Sequence, residues 1–195
     1  MCRVLGKSAP AFTGLKYPLL NSSRAFTLMN DRARELASRL IRNFNEASLE
    51  HEVREPLYES AAARLGTGTV AHKLGASVDV VAPGKRSCPY HFHHAQEEMF
   101  VIIEGEGSLR VAGEMLPIKT GDVLFIPAGP EYPHQIINTS QAPLKYLSIS
   151  TRETPEVCEY PDSGKYQAMV SANGARVFTA NQRTTENVDY WDGEP

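Results

Sequence analysis

Long hydrophobic runs are missing from this 195-residue chain. No stretch of 18 apolar residues occurs, so no membrane-spanning helix is expected. Cysteine is scarce, and Cys2, Cys88 and Cys158 form an odd, scattered set. Such a set builds no disulfide framework and suits a reducing compartment, so a cytoplasmic location is expected. No sign of charge dominates. Twenty Lys and Arg against 23 Asp and Glu leave a net charge of −3, which provides no field for nucleic acid or an anionic membrane. Histidine occurs only six times, which makes the placing of three of them at 91, 93 and 134 informative.

The length allows one domain with extensions, and a hydrophobic fraction of 42% supports a core. The first 42 residues differ from the rest. They hold eight Lys and Arg but only two acids, Asp31 and Glu35. A basic, acid-poor, serine-containing start has the composition of an organellar transit segment. The simpler reading, a disordered leader with Met29 as the true start, is preferred. Lys7, Pro10, Lys16 and Pro18 interrupt any apolar core of a secretory signal. Residues 1–28 are expected to be unstructured. Asn30 or Asp31 can cap a helix to about Phe44, with Leu36, Leu40, Ile41 and Phe44 on one face. A second short helix is expected near 56–65, with Pro56 in its first turn and Gly66 past its end. Two such helices resemble part of a helix-turn-helix, but no third helix or recognition face accompanies them, so DNA binding is not expected.

From Thr69 the texture changes to short apolar runs separated by Gly and Pro every eight to twelve residues. Strands are predicted over 70–73, 77–81, 91–93, 98–103, 108–111, 114–118, 122–126, 134–138 and 144–150. This spacing indicates an all-β sandwich or barrel. The expected organisation is an N-terminal extension over 1–66, disordered then helical, a β-barrel over 67–152, and a C-terminal tail over 153–195. The tail is polar and carries the only tryptophan, Trp191, which is expected to dock on the domain or on a partner subunit.

The candidate site lies in the barrel segment. His91 and His93, at i and i+2, share one face of a strand. Glu98 is five residues from His93 and cannot share that face on an unbroken strand. His94-Ala95-Gln96 must therefore turn the chain, and Glu98 starts the next strand. His134 comes from a distant strand. Three imidazoles and a carboxylate make a competent shell for a divalent transition metal. His94 is excluded by strand parity. Phe100 and Ile102 share the Glu98 face, and Ile136 shares that of His134, so these residues are expected to line an apolar cavity. Tyr132, Glu131 and Gln135 lie near the expected mouth. Cys88 is read as a small buried hydrophobe.

These residues resemble the cupin superfamily, whose first motif is G-x5-HxH-x3,4-E-x6-G and whose second is G-x5-PxG-x2-H-x3-N. Here Gly84, His91, His93, Glu98 and Gly105 match the first, with six residues between Gly84 and His91. Gly121, Pro127, Gly129, His134 and Asn138 match the second, with Pro130-Glu131-Tyr132-Pro133 lengthening the gap before His134 by two. The tail pieces YPDSGK and DYWDGE resemble those of a largely uncharacterised group of single-domain cupins. The resemblance implies a double-stranded β-helix, a jelly-roll-like barrel, with a short partly helical N-terminal extension. It also implies His91, His93, Glu98 and His134 as ligands of one divalent metal per chain (Fe, Mn, Ni or Zn), and a homodimer.

Fold does not fix function. The leading expectation is a metal-dependent enzyme on a small organic substrate, of dioxygenase or isomerase/epimerase type. Iron would bring O2 chemistry, whereas Mn, Ni or Zn would polarise a carbonyl or enediol oxygen. Glu98 and Tyr132 are the candidate catalytic groups, and Phe100, Ile102, Tyr132, Gln135 and Ile136 the candidate substrate contacts. The alternative is a non-catalytic module that binds a sugar or organic acid. A storage protein is disfavoured, since such cupins usually carry signal peptides and often two barrels.

Overall fold

The computed structural model describes residues 29–172, 175–183 and 188–194. The expectations placed on residues 1–28 lie outside the described residues. The chain divides into two units, 1–37 and 38–195. Helix α1 spans Asp31–Leu40. Asn30 is its N-cap, because its Oδ1 accepts from the backbone N–H of Ala33 at 2.9 Å. The helix ends four residues before the predicted Phe44.

The second unit is built from thirteen strands: β1 (Glu50–Arg54), β2 (Tyr58–Arg64), β3 (Leu74–Val81), β4 (Phe92–His93), β5 (Glu98–Glu104), β6 (Glu106–Val111), β7 (Glu114–Lys119), β8 (Val123–Ile126), β9 (His134–Ile137), β10 (Leu144–Thr151), β11 (Glu156–Tyr160), β12 (Lys165–Ala172) and β13 (Ala175–Arg183). One sheet has the order β1-β2-β3-β10-β5-β8. A second runs β13-β12-β11-β4 and a third β7-β6-β9. The bridge between His91 and His134 joins the second to the third, so two composite sheets make the double-stranded β-helix. The core draws on both, with Val81, Phe100, Ile102, Leu124, Ile126, Leu144 and Tyr146 from the first and Leu109, Ile118 and Ile136 from the other.

Eight of the nine predicted strands form with small shifts in their ends. The ninth, 70–73, is bend and irregular chain. The helix expected near 56–65 is strand β2. Its Ala61-Ala62-Ala63 run favours helix locally. It pairs instead with β1 on one side and β3 on the other, and cross-strand pairing outweighs a propensity of a few tenths of a kcal/mol per residue. Among the described residues of the extension, the helix is α1. Trp191 is 70% exposed, and among the described residues its ring meets that of Tyr190 edge-on, with centroids 4.9 Å apart, so the expected docking on the domain is not seen there.

Close approach of strands explains two glycines. A Cβ on Gly107 would lie 2.6 Å from the Ile137 carbonyl oxygen and 2.9 Å from a Leu144 methyl. Gly105 has φ +87°, and its Cβ would lie 2.6 Å from the Pro143 carbonyl. Gly107→Ala is expected to cost about 2 kcal/mol through overpacking, read as a lowered urea midpoint with an unchanged slope.

Candidate metal centre

Four side chains converge on one point inside the barrel. His93 lies on β4, and His91 stands two residues earlier at the bridge to His134, where each backbone N–H donates to the other residue's carbonyl at 3.1 and 2.7 Å. Glu98 opens β5 and His134 opens β9. His134 Nε2 is 2.8 Å from Glu98 Oε2. His93 Nε2 is 3.5 Å and His91 Nε2 3.7 Å from that same oxygen. Metal–ligand bonds of about 2.1 Å place neighbouring donors about 3.0–3.4 Å apart, and these three distances lie within a few tenths of an ångström of that range. Ligand atoms of His91, Glu98 and His134 fall within 4.8 Å of one another, while His93 groups with His91 and Cys158.

The second nitrogen of each ring is already engaged. His91 Nδ1–H donates to the Pro89 carbonyl at 2.8 Å, and His134 Nδ1–H to the Tyr132 carbonyl at 3.2 Å. His93 Nδ1–H donates to Glu156 Oε1 at 3.2 Å. These acceptors have no proton to give, so each Nδ1 carries a hydrogen and each Nε2 faces Glu98, where it donates to the carboxylate in the metal-free protein and, once that proton leaves, would be the ligating atom. The residues inserted before His134 serve this arrangement, because they include the Tyr132 carbonyl that orients its ring.

Glu156 does more than orient His93. Its Oε1 also accepts from the backbone N–H of His94 at 3.1 Å, and its Oε2 from Ala95 at 3.1 Å and Gln96 at 3.0 Å. One carboxylate, 2% exposed, therefore holds the turn that lets Glu98 follow His93 into the cluster. Glu156, Cys158 and Tyr160 alternate along β11 and share a face. Cys158 stands opposite His93 in the β4–β11 register, and its sulfur can join ligand nitrogens of His91 and His93 in a group within 4.8 Å. Tyr160 stacks over His91, with ring centroids 6.1 Å apart.

Charge is tightly distributed here. Burial pushes the Glu98 carboxyl up, but hydrogen bonds from His134, His91 and His93 outweigh it and hold the group well below the usual carboxylate range. For His91, burial pulls downward, yet contacts with Cys88 and Glu98 carry it well above the usual imidazole value. In the metal-free protein the Glu98 contribution to stability is complete above the usual carboxylate pKa and is lost as pH falls through its depressed value. The His91 contribution is complete below about pH 6.5 and is lost as pH rises through its raised value. The metal-free protein is thus expected to have its highest urea midpoint between about pH 5 and 6.5. A midpoint that does not change from pH 5 to 9 would remove this coupling.

The remaining sequence candidates fall in different places. Phe100, Ile102 and Ile136 belong to the core cluster. The Phe100 ring lies 5.8 Å from that of His134. Gln135 is fully buried on the opposite side of β9 from His134 by alternation. Its amide donates to the Cys88 carbonyl at 2.7 Å, while its Oε1 has no partner among the described residues. Tyr132 is 46% exposed and touches the site through its backbone. His94 leaves the cluster, as strand parity requires, and bonds Glu159 at 2.7 Å. Cys88 is half-buried beside His91.

Sequence reading missed Glu156, Cys158 and Tyr160, which it assigned to a polar tail. The period-two pattern Glu-Val-Cys-Glu-Tyr was the available signal. It also missed Asp79. This residue pairs with Tyr146 across β3–β10, accepts from the Ser77 hydroxyl at 2.7 Å, and has its carboxyl raised by burial.

A two-sheet β-barrel with a His/Glu cluster at this motif spacing defines a class of protein. Residues 77–150 match the family model for the cupin domain, and the match and the fold together support the cupin superfamily. The particular relatives follow. An uncharacterized protein of Methanocaldococcus jannaschii is 33% identical over 85 residues, covering 42% of this chain and 66% of that protein. An oxalate-binding protein of Thermotoga maritima is 36% identical over 67 residues, covering 34% of this chain and 54% of that protein. The matches thus span less than two thirds of these relatives' lengths. A solved structure from Acidithiobacillus ferrooxidans, whose description proposes a sugar phosphate isomerase, is 25% identical with a TM-score of 0.65, covering 77% of this chain and 96% of the other. No helix among the described residues is long and apolar enough to cross a membrane.

Proposed function

We propose that this chain is a metal-dependent enzyme of the isomerase type acting on a small organic substrate. The observation that carries this reading is the convergence of three Nε2 atoms on Glu98 Oε2 with every Nδ1 already engaged. A divalent Fe, Mn, Ni or Zn ion held by His91, His93, Glu98 and His134 would supply Lewis acidity toward a substrate carbonyl or hydroxyl. Glu98, held anionic by three imidazoles, suits a ligand better than a proton acceptor. Asp79 suits proton handling instead. It lines the barrel interior with Tyr146 opposite it, and burial raises its carboxyl from the ordinary value toward the working range of a general base, whereas burial raises the Tyr146 hydroxyl further from that range and keeps it neutral. Phe100 and Ile136 give the interior its apolar wall.

The alternative is a module that binds an organic acid without turnover, a reading supported by the oxalate-binding relative. Asp79 favours catalysis, since plain binding needs no buried acid. Metal-free protein reloaded separately with Fe(II), Mn, Ni and Zn tests both. Interconversion of an aldose phosphate and its ketose with one of these metals, lost in Asp79→Asn at full metal occupancy, is the expected result. Binding without turnover under every metal would favour the module. O2 consumption with Fe(II) would move the reaction to the oxygenase type.

Membership of the group with YPDSGK and DYWDGE tails and assembly as a homodimer belong to the same proposal. Self-association is supported by the outer face of β8, where Phe125 is 73% and Val123 46% exposed. Phe125→Glu is expected to shift a dimer to monomer in sedimentation equilibrium.

A further inference from the structure

The metal cluster leaves a second feature of the barrel unused. Between the two composite sheets lies a cavity of about 460 Å3, within the range of small-molecule sites. A larger one, of about 880 Å3, is lined by residues 41–67 and contains no member of the metal cluster.

Register defines the walls of the smaller cavity. Ser150 stands between Gly75 and Glu98, and Ser148 between Ser77 and Phe100. Ser77 in turn faces Arg64 on β2. Side chains directly opposite in a ladder share a face, so Ser77 and Ser148 lead from Arg64 across the inner sheet to Phe100, and Ser150 leads from Gly75 to Glu98. Arg152 follows Ser150 by two and keeps to that face. Its stem crosses Gly75, where an added Cβ would meet Arg152 Cγ and Cδ at 3.7 Å and Ser150 Oγ at 3.0 Å. From the other sheet, Glu156 faces Met169, and Ser171 faces Arg176. All of these residues line the cavity except Glu98 and Phe100, which lie just beyond it.

The charges do not balance within the protein. Arg64, Arg152 and Arg176 make no side-chain hydrogen bond or ion pair among the described residues. Two carboxylates line the same cavity, Glu153 and Glu156, and Glu156 is committed to His93 and three backbone N–H groups. Three guanidiniums face one uncommitted carboxylate, an excess of two positive charges (3 − 1) in a chain of net charge −3. Guanidinium groups with convergent hydroxyl donors fit phosphate and carboxylate oxygens.

We propose that this cavity binds the anionic group of a small substrate, a phosphate monoester or a carboxylate, through Arg64 and Arg152 with Arg176 above them. The serine hydroxyls then direct the rest of the molecule toward Glu98 and the metal. This deepens the proposed function and rests on its reading of the barrel interior as the substrate site.

Calorimetric titration of the metal-loaded protein with ribose 5-phosphate, oxalate and ribose tests the subsite, with metal content measured on each sample. Ribose 5-phosphate or oxalate is expected to bind at least tenfold more tightly than ribose, and which of the two is tighter identifies the anion. Arg64→Gln and Arg152→Gln are expected to weaken that anion at least tenfold with unchanged metal content and thermal midpoint. Lys119→Gln, exposed and outside the cavity, is expected to leave it unchanged. Anions that bind no better than ribose, or at full affinity to both arginine variants, overturn the subsite even when metal is bound. Arginine-dependent anion binding by protein that takes up no metal supports the subsite and removes the metal reading alone.

Discussion

His134→Ala is expected to strip the metal from the protein, with elemental analysis showing less than about a tenth of the wild-type content. His134 is 1% exposed, and its Nε2 is the donor closest to Glu98 Oε2, at 2.8 Å. Alanine removes that donor and leaves a void beside Phe100. It also leaves a buried carboxylate without its nearest partner, which is costly in a low-dielectric interior. His91→Ala is expected to have the same sign and a smaller effect on stability, because His91 lies 3.7 Å from the oxygen and is less buried. Full metal occupancy in both variants would overturn the ligand assignment. Folding is checked separately by the far-ultraviolet spectrum, since a folded protein without metal is the informative outcome.

The contrast between what sequence showed and what it hid follows from the range of the interactions. His91, His93 and Glu98 sit within eight residues, and period-two alternation alone required a turn over His94–Gln96. Eight strands of the barrel were legible because Gly and Pro mark their ends. What holds the turn was not legible. Glu156 is sixty residues from Gln96, and its neighbours Pro155 and Glu159 read as polar tail. Only the β4–β11 pairing brings it under the turn. Strand β2 was misread for a related reason. Its alanines carry a weak local preference for helix, whereas the pairing of Ala61 with Val80 and of Ala62 with Asp79 depends on a strand elsewhere in the chain. Long-range partners decide both cases, and no local pattern encodes them. The arginine-lined cavity was hidden likewise, since Arg64 on β2, Arg152 just past β10 and Arg176 on β13 are distant in sequence and line one cavity only in the fold.

Glu156→Ala is expected to be the most destabilising single substitution outside the hydrophobic core, by about 3–5 kcal/mol. The carboxylate accepts four hydrogen bonds, two at each oxygen. Its removal leaves the N–H groups of Ala95 and Gln96 without an acceptor in a partly buried turn, leaves that of His94 with the Val157 carbonyl at 2.9 Å alone, and frees the His93 ring to rotate. The turn sets the offset between His93 and Glu98, so the loss reaches the metal as well as the fold. Metal affinity is expected to fall about 10–100-fold, as for other groups that orient a ligand. Gln at this position is expected to restore little. Both oxygens face donors, so the amide NH2 must oppose one of the two pairs. Glu159→Ala provides the comparison. Its bond to His94 is at the surface, where such pairs contribute about 1 kcal/mol or less, and neither stability nor metal content is expected to move measurably. Equal effects of the two substitutions on the urea midpoint would mean that the turn holds its shape without the buried carboxylate, and that the chain geometry between His93 and Glu98 has another cause.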